Sequence, residues 1–182
     1  RNGVYTFIPN NSSVHLRDEQ VTLAEISKKQ GYETAFFGKW GLIGDMDDKS
    51  QPSPNDQGFD YWLATHNNAK PSHKNPTNFY RNGKAEGEIK GYSSQIVVDN
   101  AMEWLNRRKD KSKPFLLVLW FHEPHRKLAQ PESFTNKYKK HGEWALPVYI
   151  SASTLVGSPQ TPYIYDDHHN INDAVDQIMK LY

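Results

Sequence analysis

The segment Phe115-Leu116-Leu117-Val118-Leu119-Trp120-Phe121 carries no charged or amide side chain at any position, so neither of its two faces suits water. A strand alternates its side chains between faces, and a run like this one fits only the centre of a sheet covered on both sides. Pro114 marks its start. Upstream, Ile96, Val97, Ala101, Trp104 and Leu105 recur at helical spacing between Ser93 and Lys111, with Arg107, Arg108 and Lys109 at the end where the helix dipole favours cations. The same pairing occurs earlier. Thr22-Leu23-Ala24-Glu25 has a cap residue followed three positions later by Glu, Leu23, Ile26 and Ala24 are the apolar positions of the helix it opens, and Gly31 ends it. Thr34-Ala35-Phe36-Phe37 then reads as a buried strand, with Gly38-Lys39-Trp40-Gly41 as its C-terminal loop. Helix followed by buried strand, twice, predicts an α/β sheet with parallel strands.

Between and beyond these units the pattern is looser. From Asp45 to Asn82 the chain is rich in Asp, Asn, Pro, Ser and Gly, with Pro52, Pro54, Pro71 and Pro76 as breakers, and a long loop is expected over 45–82. Its aromatics Phe59, Tyr61, Trp62, Phe79 and Tyr80 argue that it is ordered, and long ordered loops in compact domains are functional. Asn82-Gly83 predicts a tight turn. A short helix is expected within 131–138 and an amphipathic one from Asp173 to Leu181, while 141–170 has no dependable period. The chain begins at Arg1, not Met, and stops at Tyr182 on the last turn of the expected helix, so an internal piece of a longer protein is expected.

Composition removes several classes of function. With 22 Lys+Arg against 21 Asp+Glu the net charge is +1, and no basic block exceeds Arg107-Arg108-Lys109, which argues against a nucleic-acid partner. No apolar run approaches the ~20 residues of a membrane span. The absence of cysteine excludes a disulfide scaffold, a thiolate zinc site and a thiol nucleophile within this sequence. Hydrophobic residues are only 36% of the chain, but 13% are aromatic and bury large areas, so a packed core is affordable.

Two loops follow buried strands, the place where ligands bind in open α/β sheets. One holds Lys39; the other holds His122, Glu123, His125 and Arg126. Brought together, a lysine and a histidine make a cationic pocket suited to a phosphate or sulfate ester, whose nonbridging oxygens need charge stabilisation and whose leaving oxygen needs a proton. Each also has a plain structural reading: a solvated loop lysine, and a strand-end histidine bonded to backbone. The Asp166-Asp167-His168-His169 cluster reads as a solvated loop, and Asp45, Asp47 and Asp48 lack a calcium-loop pattern.

Taken in order, Gly31 to Trp40, then Asp56-Gln57-Gly58-Phe59-Asp60-Tyr61-Trp62, then Phe121-His122-Glu123-Pro124-His125 resemble the formylglycine-dependent sulfatases, the arylsulfatase-like branch of the alkaline phosphatase superfamily. The stretch Asn67 to Pro76 with Asn78 to Gly83 is similar to bacterial members acting on sulfated sugars. The resemblance implies an alkaline phosphatase-like α/β fold, a mixed and mainly parallel sheet flanked by helices and incomplete at both ends, with residues 1–182 as the central part of one catalytic domain. It implies that Lys39 and His122 are catalytic, both touching the substrate sulfate, and that His122 protonates the leaving oxygen. His125, Asn68, His73 and Asn75 are the expected substrate-binding residues, and Phe79 or Tyr80 the residue to stack on a sugar. The formylglycine nucleophile and a Ca2+ ion are implied as cofactors with their groups outside this chain, a sulfated saccharide or aryl sulfate as the partner, and a periplasmic or secreted location. Gly41 departs from the family, where many members have histidine. The alternatives are a phosphate or phosphonate ester hydrolase of the same superfamily and a noncatalytic relative that binds sulfated glycan.

Overall fold

The computed structural model describes residues 8–123, 125, 129, 131–133 and 136, and the backbone of strands at 153–157 and 163–165. The chain orders as α1 (Leu23–Lys29), β1 (Glu33–Lys39), β2 (Tyr61–Thr65), β3 (Tyr80–Arg81), β4 (Lys84–Ala85), α2 (Ser93–Arg107), β5 (Phe115–Trp120), β6 (Ser153–Gly157) and β7 (Tyr163–Tyr165). These strands form one sheet in the order β4-β3-β2-β1-β5-β6-β7. Pairing is parallel for β1 with β2 and with β5, and antiparallel at the other pairs, so the parallel part is confined to the three central strands. The expectation of a mainly parallel sheet is thereby narrowed to its centre.

The continuous apolar runs are explained by what covers them. Ala35, Phe37, Leu63, Leu117 and Leu119 face α2, whose Ile96, Val97, Ala101 and Leu105 close one core. Phe36, Trp62, Ala64, Leu116 and Val118 form the other with Ala24, Trp40, Ile43 and Phe59. Helix α1 approaches through its smallest residue. A Cβ on Gly58 would lie 2.4 Å from the Glu25 nitrogen, so helix and loop meet backbone to backbone. Leu23 and Ile26, expected to be the apolar face, are 57% and 50% exposed for that reason, and Ala24 is the buried one. The cap itself is as expected: Thr22 Oγ1 accepts from Glu25 N, Glu25 Oε2 accepts from Thr22 N, and Thr22 Oγ1 donates to the Gln57 carbonyl.

Two other expectations are revised. The 45–82 segment contains β2, a strand at the heart of the sheet, and β3 at its end. Its breakers lie in the turns on either side, where Asn55 accepts from Trp62 Nε1 at 2.6 Å and Asn82 accepts from Trp62 N at 2.8 Å. Helix α2 stops at Arg107 and does not reach Lys111, because Arg108 leaves helical geometry (φ −54°, ψ 126°) and turns inward. Its Nε donates to Glu33 Oε2 at 2.7 Å and its guanidinium lies 4.9 Å from the centre of the Phe115 ring. This ties the end of α2 to the start of β1. The expected helix at 173–181 and the Asp166–His169 cluster lie outside the described residues, as does half of the expected helix at 131–138.

The Arg108 side chain is 1% exposed and the Glu33 side chain 26% exposed, so Glu33 keeps some water when its partner is removed. Arg108→Ala in the full-length protein is expected to lower unfolding free energy by about 3 kcal/mol, the low end of the range for breaking a buried pair, read from urea denaturation.

Candidate active site

Lys39 owes its position to the residue before it. Gly38 takes φ +115°, and a Cβ there would fall 1.8 Å from the Trp120 carbonyl oxygen, so only glycine lets β1 and β5 close at this point. Lys39 pairs with Thr65 in the parallel register, which points both side chains to the same face at the carboxyl end of the sheet. His122 follows directly on β5 and meets them there: its Nε2 lies 2.8 Å from Thr65 Oγ1. The two loops singled out in the sequence therefore do converge.

The hydrogen bonds determine the ring's proton. Thr65 Oγ1 donates its one proton to the Asn67 carbonyl, so it accepts from His122 Nε2–H, and the ring is the neutral Nε2–H form. Nδ1 is then a bare lone pair, buried and without a partner. The residue is only 2% exposed and packs edge-on against Phe79, with ring centres 5.4 Å apart. Loss of water pushes the His122 pKa down to about 3, with the neighbouring His73 and Lys39 adding to the effect. Desolvation also lowers the Lys39 ammonium.

Asn68 links the two loops. Its Oδ1 accepts from Lys39 Nζ at 3.4 Å, and its Nδ2 donates to His125 Nδ1 at 2.8 Å. Lys39, Thr65, Asn68, His122 and His125 thus occupy one end of the sheet. The other two residues expected to bind substrate are placed differently. His73 is 1% exposed with both ring nitrogens engaged, on Ser93 Oγ and on the His125 carbonyl. Asn75 takes φ 51° and closes a turn with Gly91, accepting Gly91 N–H on Oδ1 at 3.0 Å and donating its own N–H to the Gly91 carbonyl. Both hold the loop in place through these contacts. Phe79 lies under His122, fully buried and closed to a sugar, while the partly buried Tyr80 donates its hydroxyl to Asp47 at 2.7 Å.

Among the described residues there is no group of three or more acidic, His or Cys side chains fit to hold a metal. Asp45 and Asp48 accept from backbone N–H groups two residues on, at 2.9 Å each, and so build the turns of their own loop. Thr65 and Ser93 were not singled out in the sequence. Recognising β2 as the strand beside β1 is what reveals Thr65, since a strand-end threonine opposite Lys39 has nowhere else to point.

A mixed sheet with helices packed on both faces, and polar side chains gathered at the carboxyl ends of its parallel strands, is an α/β fold consistent with the alkaline phosphatase-like one. The Sulfatase family profile matches residues 1–181, and the chain belongs to that family. It is 35% identical over 116 residues to an ulvan-active sulfatase of Formosa agariphila, covering 63% of this chain and 22% of that protein. It is 35% identical over 117 residues to an N-acetylglucosamine-6-O-sulfatase of Bacteroides thetaiotaomicron, covering 64% of this chain and 19% of that protein. The chain therefore spans about a fifth of the length of these curated relatives. A solved structure in complex with its substrate D-glucosamine-2-N,6-O-disulfate matches with TM-score 0.53 and 26% identity, over 72% of this chain and 24% of that one. A structure solved with a neocarrahexaose matches with TM-score 0.61 at 18% identity over 76% of this chain and 34% of that one, a likeness of fold.

Folding holds His122 neutral, so its contribution to stability is complete above the unfolded pKa of about 6.5 and is lost as pH falls toward 3. His122→Gln is expected to flatten the acid side of the stability curve of the full-length protein by up to one proton, about 1.4 kcal/mol per pH unit. Urea denaturation at stepped pH between 6 and 4 checks this; an unchanged slope would mean that the ring is charged in the folded state.

Proposed function

We propose that the protein containing this chain hydrolyses sulfate esters of a carbohydrate, with Lys39 and His122 as its sulfate-contacting residues. The observation that carries the reading is their convergence at one sheet edge, beside Asn68, in a chain of the Sulfatase family. The names of the relatives, acting on ulvan and on N-acetylglucosamine 6-sulfate, support a sulfated sugar as the substrate class. An exported setting, periplasmic or secreted, belongs to the same reading.

In this reading the Lys39 ammonium stabilises charge on the nonbridging oxygens, and Asn68 keeps it aimed there. His122, fixed by Thr65, holds a free Nδ1 that takes up a proton once an anion lies close, and returns it to the oxygen of the departing sugar as the S–O bond breaks. Asn68 and His125 supply hydrogen bonds to sugar hydroxyls. The described residues do not form a calcium site, so the family's formylglycine nucleophile and Ca2+ would be supplied by other segments, and they add attack on sulfur and charge neutralisation.

The test is hydrolysis of a panel of sulfated monosaccharides by the full-length protein, alongside the matching phosphate esters. Lys39→Ala is expected to lower kcat by about 10²–10³-fold, the usual effect of removing one charge-stabilising group. Turnover of phosphate but not sulfate esters would favour the phosphatase reading. Measurable affinity for the sulfated sugars with no product released would favour a noncatalytic binder.

A further inference from the structure

Glu123 is a buried carboxylate that the proposed reaction leaves unused. It directly follows His122, is 7% exposed, and stands next to the two residues proposed to contact an anion, where a negative charge repels the ligand unless it is compensated. Its Oε1 accepts from Ser93 Oγ at 2.5 Å, while Oε2 is buried with no partner. Ser93 is the first residue of α2, and its backbone N–H donates to the His73 carbonyl at 2.7 Å. Ser93 Oγ also lies 2.9 Å from His73 Nδ1, itself 3.5 Å from Glu123 Oε1.

On the far side of the ring, His73 Nε2 is 2.9 Å from the His125 carbonyl oxygen. A carbonyl can only accept, so Nε2 carries a proton. His125 N–H in turn donates to the His122 carbonyl at 3.1 Å. The contacts therefore close a circuit through Glu123, Ser93, His73, His125 and His122, joining three segments: the exit of β5, the start of α2 and the 66–80 loop. The carboxylate is thus met by the Ser93 hydroxyl in the first turn of α2, where the helix dipole favours negative charge, with the His73 ring beside it, and this offsets its repulsion toward an anion.

We propose that Glu123 is a positioning residue: through Ser93 and His73 it anchors the His125 carbonyl, and so fixes the turn that presents the His122 ring to Lys39. A mere packing role would need neither the closed circuit nor the charge compensation. The kinetic consequence rests on the sulfatase reading; the hydrogen-bond circuit does not.

Two variants of the full-length protein test it, Glu123→Gln, which keeps size but breaks the compensation, and Ser93→Ala, which cuts the link. With a sulfated monosaccharide as substrate, kcat is expected to fall by about 10²-fold, as for a misplaced catalytic group, with KM within about threefold of wild type. Independently of activity, 15N spectra are expected to show the His73 Nε2–H as a slowly exchanging proton in wild type and a fast-exchanging one in Ser93→Ala. Unchanged exchange in Ser93→Ala, or a loss confined to KM, would overturn the proposal, as would loss of cooperative unfolding in both variants, which would make the role structural. If the wild type hydrolyses no sulfate ester while the exchange signature is as expected, the sulfatase reading fails and the circuit stands.

Discussion

The approach of the Trp120 carbonyl to the α-carbon of Gly38 decides where everything else at the site can be. At 1.8 Å from any Cβ, that oxygen would push β1 away from β5 if position 38 bore a side chain. With glycine there the two strands stay paired through Gly38 and Trp120, and Lys39 leaves the sheet beside the turn that carries His122. The ladder to β2 continues in the same way, through Trp40 N–H to the Thr65 carbonyl at 2.9 Å and Gly41 N–H to the His66 carbonyl at 2.8 Å. Three parallel strands therefore end together, and their next residues have one edge in common. A site assembled on rigid strand ends is held more precisely than one assembled on free loops.

Burial sets the electrostatics of that edge. A lysine and a charged histidine placed side by side, both short of water, would repel each other; the structure avoids this by keeping His122 neutral. A neutral ring next to an ammonium can wait for an anion, whose own charge then favours the protonated imidazole. Glu123 fits the same economy. Tyr92, the residue that precedes α2, makes no side-chain cap bond, and the Glu123 carboxylate lies at this positive end of the helix through Ser93 Oγ. The negative charge is thus met by a helix terminus, with His73 beside it.

The central strands and the two cationic residues were legible in the sequence because each has a local signature. Phe115–Trp120 lacks a polar face, and Lys39 and His122 end apolar runs. β2 was hidden because Tyr61–Thr65 is short and lies among Asp, Asn and Pro, and those residues prove to be its turns: Asn55 and Asn82 bond Trp62 from either side. The loop contacts of His73 and Asn75 met the same limit: a polar residue in a polar loop does not show which tertiary partners it takes, here Ser93, His125 and Gly91. Asn68, by contrast, keeps its place between Lys39 and His125.

Position 41 shows how backbone geometry can set a residue that chemistry would choose otherwise. Gly41 takes φ +66°, with nothing within 4 Å of where a Cβ would stand, so space does not demand glycine. The conformation does. A left-handed backbone costs an ordinary residue roughly 1–2 kcal/mol, and this turn is the one that delivers the Gly41 N–H to the His66 carbonyl and extends the β1–β2 ladder past Lys39. A histidine at 41 would have to adopt this left-handed conformation, at that cost, to keep the extension. The level ends of β1 and β2, and with them the pairing of Lys39 with Thr65 and His122, are what the glycine preserves.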